Sequence, residues 1–139
     1  MSPQASKGSS ELGDLKTPVR EYTQALGVVL ILAGVAGLVL GDRLLLGVLS
    51  ITIPKHLAHL LTGGLLVYLG FGQTDEGLAR TAIVAMGVVY LLVGMLGFAF
   101  AALLGLSSYG VEDNTIHLLV GIVSLAVAFT SGRGTTSRA

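Results

Sequence analysis

Long uncharged, mostly apolar runs alternate along this chain with short charged or turn-forming segments. These runs indicate four spans at about 22–41, 54–72, 78–105 and 114–132, with Lys55 and Arg80 near the starts of the second and third. A helix needs about 20 residues to cross ~30 Å of hydrocarbon, and each run has roughly that length or more. The third run stays uncharged as far as Val111, and we expect its helix to end near 105, with Ser107 to Gly110 as a loop. The pattern predicts four transmembrane helices within a membrane domain over 22–132.

The starts of these spans carry residues typical of helix ends. Pro54 suits the first position of the second helix, because the missing N–H would be unpaired there anyway. Thr74 and the two acidic residues after it predict an N-cap and a negatively charged first turn for the third helix. For the fourth helix, Asp113 or Asn114 is the predicted cap.

A short apolar segment, Leu44 to Ile53, lies between the first two spans. It has about half the length that a membrane crossing needs, so we interpret it as an interfacial or partly re-entrant segment. The alternative is an early start of the second helix, which Pro54 disfavours.

Composition agrees with a membrane protein. Hydrophobic residues make up 53% of the chain and charged residues only 12%, whereas soluble domains are nearer a quarter charged. The polar residues concentrate in the tails, 1–21 and 133–139. The net charge is zero and there is no basic stretch, which excludes a nucleic-acid partner. The lipid bilayer is the expected environment, as a multi-pass protein of the inner (plasma) membrane.

Orientation follows from the distribution of Lys and Arg around the spans. With the N-terminus inside, six basic residues lie on the cytoplasmic side and two outside: Lys7, Lys16, Arg20, Arg80, Arg133 and Arg138 against Arg43 and Lys55. The positive-inside rule therefore predicts cytoplasmic N- and C-termini. All three histidines then lie near the outer face.

The chain contains an internal duplication. Gly27 to Leu40 aligns with Gly87 to Phe100 at an offset of 60, and three glycines coincide. His59 to Phe71 aligns with His117 to Phe129 at an offset of 58. Because each copy has two helices, both enter the membrane in the same direction. The predicted fold is an all-α membrane protein, a four-transmembrane-helix bundle built from two tandem two-helix repeats.

Small and polar residues form stripes at helical spacing on the second and fourth spans. One stripe is His56, His59, Gly63, Val67 and Gly70, and the other is Asn114, His117, Gly121, Ser124 and Ala128. Such stripes let helix backbones approach closely, so we expect both to face inward and Leu66 to face lipid. The residues expected to carry helix packing are Gly34, Gly63, Gly94, Gly121, Asp113 and Asn114.

No catalytic set is visible in the sequence. The serines lack the strand-turn-helix setting of a nucleophile elbow, and neither a phosphate loop nor a dinucleotide fingerprint is present. All acidic residues lie in predicted tails or loops, and we interpret Arg43, Lys55, Glu112 and Asp113 as solvated loop charges. We therefore expect no enzymatic activity, and only weak support for a transporter.

The histidines are the remaining candidates for chemistry. His59 and His117, with His56 as a third, offer nitrogen ligands for a metal, a haem or a chlorophyll. The favoured interpretation is structural, because a histidine near a helix end can donate a ring N–H to a carbonyl and avoid an unpaired polar group. A proton-responsive role is the third alternative. No cofactor is predicted, with ligation through His59 and His117 kept as the alternative.

The stretches PKHLAHLLTGG and EDNTIHLLVG carry a resemblance to a known family. The chain resembles, over roughly Tyr22 to Phe129, the bacterial four-span membrane proteins grouped as domain of unknown function 4383. In that family each repeat's second helix opens with His-Leu and a glycine four residues after the His, and Asp-Asn precedes the second His. Matching residues here are His59, Leu60 and Gly63, and Asp113, Asn114, His117, Leu118 and Gly121. The family's frequent upstream His and following Asn are replaced by Lys55 and His56. The resemblance implies a fold and a location but no activity.

Several functions remain open. The favoured hypothesis is a small structural or accessory subunit of a larger membrane assembly, packed against other membrane proteins or against copies of itself. One alternative is a redox or pigment-carrying module that uses His59 and His117. The other is a small-solute or proton-responsive membrane protein.

Overall fold

The structure, a computed structural model, describes residues 17–40, 52–72, 75–103 and 110–131. These residues form four α-helices in chain order: α1 (Pro18–Leu40), α2 (Thr52–Val67), α3 (Glu76–Leu103) and α4 (Val111–Thr130). A single π-helical turn, Tyr68–Gly72, continues α2 without a break. The prediction of an all-helical protein is confirmed for the described part of the chain.

Three of the helices are long and apolar enough to cross a membrane. They are Pro18–Leu40, Glu76–Ala101 and Val111–Thr130, with mean hydropathies of 2.2, 2.4 and 1.5. Without the π-helical turn, α2 has 16 residues, which is fewer than the ~20 that a membrane crossing needs. The π-helical turn extends the helix to residue 72. These properties indicate a membrane protein.

Two helices begin with clear capping arrangements. Thr17 precedes Pro18 at the start of α1, and the Thr17 hydroxyl accepts a hydrogen bond from the Arg20 backbone N–H at 3.3 Å. Proline suits that first helical position because it has no N–H to leave unpaired. At α3 the Asp75 carboxylate accepts from the backbone N–H groups of Gly77 at 2.8 Å and Leu78 at 3.3 Å. Asp75 is thus the capping residue, and Thr74 lies outside the described residues.

The predicted cap of α4 is wrong. The helix begins at Val111, and its N-cap is Gly110, which has no side-chain capping hydrogen bond. Gly110 has φ of 70°, a left-handed conformation that glycine adopts without the steric cost of a Cβ. Asp113 and Asn114 therefore lie within the first turns of α4, where their side chains are free to make tertiary contacts.

α2 also begins earlier than predicted, at Thr52 and two residues before Pro54. A proline is tolerated throughout the first turn, because backbone N–H groups there have no intrahelical partner. Of the predicted interfacial segment, residues 44–51 lie outside the described part of the chain, as do most of the predicted 107–110 loop and of both tails.

The helices associate as two antiparallel hairpins, α1 with α2 and α3 with α4, and glycines mark the closest approaches. A Cβ on Gly34 would lie 2.9 Å from the His56 carbonyl oxygen, and one on Gly94 would lie 2.8 Å from the Asn114 carbonyl oxygen. Real Cβ atoms essentially never come this close, so the backbones meet only because these residues lack a side chain.

Where the hairpins meet, a small core forms. The Tyr22 hydroxyl of α1 and the Ser124 hydroxyl of α4 are 2.8 Å apart and hydrogen-bonded. Leu66 is fully buried in this core, so its predicted lipid exposure is wrong. The buried face of α2 includes Leu66 and Leu69 as well as His56, Gly63 and Gly70 of the predicted stripe. On α4 the predicted inward stripe is confirmed, since its buried residues are Asn114, His117, Gly121, Ser124 and Ala128.

Candidate functional site

The polar residues at the start of α2 and of α4 come together at one end of the bundle. The Lys55 ammonium donates a hydrogen bond to the Asp113 carboxylate, and the two groups form an ion pair. Their side chains are only 21% and 28% exposed. The interpretation of both residues as solvated loop charges is therefore wrong. They join the first hairpin to the second at this end.

His117 lies beside this ion pair in a fixed orientation. Its Nδ1 is 2.6 Å from the backbone carbonyl oxygen of Asp113. Because a carbonyl only accepts, Nδ1 must carry the proton, and in the neutral ring Nε2 is then an acceptor. The ring also packs against Tyr90 of α3, with centroids 5.0 Å apart and planes inclined by 37°. Packing and the hydrogen bond together orient Nε2.

His56 faces a different part of the bundle. It is 6% exposed, and its ring occupies the space that a side chain at Gly37 of α1 would need. Its Nδ1 is buried without a hydrogen-bond partner in the structure as described. In the second hairpin the Asn114 side chain occupies the same position against Gly97. His56 therefore fills a contact between α1 and α2.

His59 and His117 both line a groove with a volume of about 430 Å³ between α2 and α3. Its polar lining comes from Lys55, His59, Thr62, Tyr90 and His117, and the remainder is apolar: Ala58, Leu65, Leu66, Ala82, Ala85, Met86, Val89 and Val93. The groove opens to the outside of the bundle. It is the place where the structure brings together two of the residues that the sequence singled out.

A second polar layer, which the sequence analysis missed, lies at the opposite end of the bundle. Arg20 Nε and Gln24 Nε2 of α1 donate to the Gly70 carbonyl oxygen at 3.0 and 2.7 Å. Arg80 of α3 donates to the Ala128 carbonyl oxygen at 3.1 Å. Cations are favourable near a helix C-terminus, where carbonyl oxygens lack intrahelical partners. Both arginines therefore hold the end of the neighbouring helix in their own hairpin.

This arrangement limits the chemistry of the site. Within the described ranges, no group of three His, Cys, Asp or Glu side chains is placed to hold a metal ion. The groove offers two imidazoles, an ion pair and the hydroxyl groups of Thr62 and Tyr90. Such groups can hydrogen-bond a ligand at one end of an apolar slot.

The chain was compared with family models, with curated proteins and with solved structures, and none of the three comparisons gives a match.

Proposed function

We propose that this protein is a four-span membrane bundle of two tandem helix hairpins, and that it serves as a structural or accessory subunit of a larger membrane assembly. In this proposal the π-helical turn lengthens α2 enough to make it the fourth span. Membership of the four-span family that the sequence resembles is part of the same proposal, and rests on the motif residues around His59 and His117.

The tandem arrangement is supported by contacts that recur at the sequence offsets. Arg20 and Arg80 are 60 residues apart, and their acceptors Gly70 and Ala128 are 58 apart. A Cβ on Gly27 would lie 3.1 Å from the Gly63 carbonyl oxygen, and one on Gly87 would lie 3.1 Å from that of Gly121. Equivalent residues thus make equivalent contacts in the two hairpins.

The accessory role rests on one observation: several polar side chains of the described helices connect one helix to another. Lys55 pairs with Asp113, Tyr22 with Ser124, and the two arginines with helix ends. The outer surface around these contacts carries many exposed leucine, valine and phenylalanine side chains. A rigid core with an apolar exterior suits a protein whose task is to pack against lipid and neighbouring helices.

The accessory role can be tested by purification from the native membrane in a mild detergent. We expect a second membrane protein to co-purify in a constant stoichiometric ratio through two chromatographic steps. The absorption spectrum of the same sample should show only protein bands. A chain that stays monomeric and alone would contradict the accessory role, and a Soret band would support the alternative in which His59 and His117 carry a tetrapyrrole.

The proposed orientation predicts a labelling pattern. The chain has no cysteine, so single cysteines introduced at Ser9, Ser50, Thr74, Ser108 and Ser137 would be the only thiols present. We expect an impermeant thiol reagent to label intact cells only at positions 50 and 108, because the other three positions lie on the cytoplasmic side. Labelling at position 74 from outside would contradict the topology. Labelling of all five after membrane disruption is the control for reactivity.

A further inference from the structure

The groove between α2 and α3 is polar at one end and apolar along the rest of its length. Lys55, His59 and His117 lie at the end where α2 and α4 begin, and Thr62 and Tyr90 lie further along. Towards the other end the walls are Leu65, Leu66, Ala82 and Met86 among other apolar side chains. Its volume of about 430 Å³ falls within the ~300–1,000 Å³ of small-molecule sites.

Two small residues open this groove on one side of the bundle. Ala82 of α3 lies 60 residues after Tyr22, and Ala58 of α2 lies 58 before Ile116. On the other side, the Tyr22 side chain crosses to α4 and hydrogen-bonds to Ser124 at 2.8 Å. An alanine is too short to cross in the same way towards Leu66, the equivalent of Ser124. The two hairpins therefore enclose space on one side that they fill on the other.

The polar end of the groove offers hydrogen bonds but no unpaired charge. The Lys55 ammonium is neutralised by Asp113. His117 has committed Nδ1 to a backbone carbonyl, which leaves Nε2 as an acceptor. No hydrogen bond reaches that Nε2 or the ring of His59 from the residues that the structure describes. Hydrogen-bonding atoms without partners are costly next to hydrocarbon, so a polar ligand group is favoured here.

From these features we infer that the groove is a binding site for a lipid with one long hydrocarbon chain and an uncharged, hydrogen-bonding head. The chain lies along Leu65, Met86 and Val89, and the head meets His59 and His117. A hydroxyl on the head can donate to His117 Nε2, and a neutral His59 can donate its ring N–H to an oxygen. An anionic phosphate would instead compete with Asp113 for Lys55. The inference concerns a ligand of the groove and does not depend on the accessory role.

Fluorescence quenching can test this site, because the chain has no tryptophan. Leu65→Trp places the single indole at the exposed rim of the groove. Val123→Trp places it at the equivalent exposed position of α4, 58 residues later and on the filled side. Both variants are reconstituted in nanodiscs and titrated with a monoacylglycerol whose chain is brominated. We expect half-maximal quenching of the groove indole at a mole fraction about threefold or more below that for the indole on α4.

Closing the groove provides the second arm. In the Leu65→Trp background, Ala82→Tyr reproduces the residue found on the filled side, and Ala58→Ile does so from the opposite wall. Either should bring the quenching of the groove indole to the level seen with Val123→Trp, whereas Ala126→Tyr, on an exposed face of α4, should leave it unchanged. Two closing variants are made because the test requires only one of them to fold.

Three results would overturn the proposal. Equal quenching of the Leu65→Trp and Val123→Trp variants would mean that the groove holds only bulk lipid. Preferential quenching that survives either closing substitution in a folded variant would place the lipid elsewhere. A brominated phosphatidylglycerol that quenches the groove indole as selectively as the monoacylglycerol would mean that the head site takes an anionic phosphate.

Discussion

Replacing Gly63 by alanine should destabilise the bundle, whereas the same replacement at the adjacent Gly64 should not. A Cβ on Gly63 would lie 2.8 Å from the Ile31 backbone nitrogen and 2.9 Å from the Gly27 carbonyl oxygen. Backbone atoms within a helix cannot move aside as a flexible side chain can, so the helices must separate. Overpacking of this kind costs ~1–3 kcal/mol, and we expect a loss of that size.

Gly64 is the matched control, because no atom lies within 4 Å of a Cβ added there. Alanine is favoured over glycine inside a helix by ~1 kcal/mol, so Gly64→Ala should be neutral or stabilising. The measurement is the free energy of unfolding in mixed detergent micelles, followed by circular dichroism. Equal effects at positions 63 and 64 would show that α1 and α2 do not approach each other as described. Gly121→Ala should match Gly63→Ala, since its Cβ would lie 2.9 Å from the Gly87 carbonyl oxygen.

Breaking the Lys55–Asp113 ion pair should have the second large effect. Lys55→Met leaves a carboxylate that is only 28% exposed without its cation, and Asp113→Asn leaves the ammonium without its anion. Losing a hydrogen bond between charged groups costs ~1.5–3 kcal/mol, and removing one partner is worse than removing both. We therefore expect each single variant to lower the free energy of unfolding by about this amount, and the double variant to lose less than the sum.

The charge exchange Lys55→Asp with Asp113→Lys is the sharper test of this pair. The two side chains contact each other, so the exchanged pair would meet at the same place with reversed polarity. The exchanged protein should regain most of the stability that either charge reversal alone loses. If it were no more stable than the single reversals, the two residues would not be paired across the hairpin interface.

The sequence predicted the helices and the inward face of α4 well, because both depend on local patterns. Four apolar runs of roughly membrane length can hardly form anything but helices in a bilayer. The small-residue stripe on α4 needs only helical spacing. The prediction was wrong at Leu66, because spacing within one helix does not show which of its faces the other hairpin covers. Leu66 and Ser124 are both fully buried where the hairpins meet.

The polar contacts were missed for a different reason. Lys55 and Asp113 each look like an isolated charge near a helix start, and only the assembled hairpins bring them together. A signal was nevertheless present, because these charges of opposite sign lie 58 residues apart, at the offset that aligns the second and fourth predicted spans. Arg20 and Arg80 are likewise equivalent at an offset of 60. Aligning the chain with itself at these offsets pairs Lys55 with Asp113 and Arg20 with Arg80. The backbone carbonyl groups that the arginines bind cannot be identified from sequence.

The two ties between the hairpins also have a mechanical consequence. Lys55–Asp113 joins them where α2 and α4 begin, and Tyr22–Ser124 joins them near the start of α1. With only one such contact, the two hairpins could rotate about it and change their crossing angle. Two contacts that are separated along the helices prevent that rotation and fix the crossing angle. The width of the groove between α2 and α3 is therefore determined by the contacts between the hairpins and does not depend on a bound ligand.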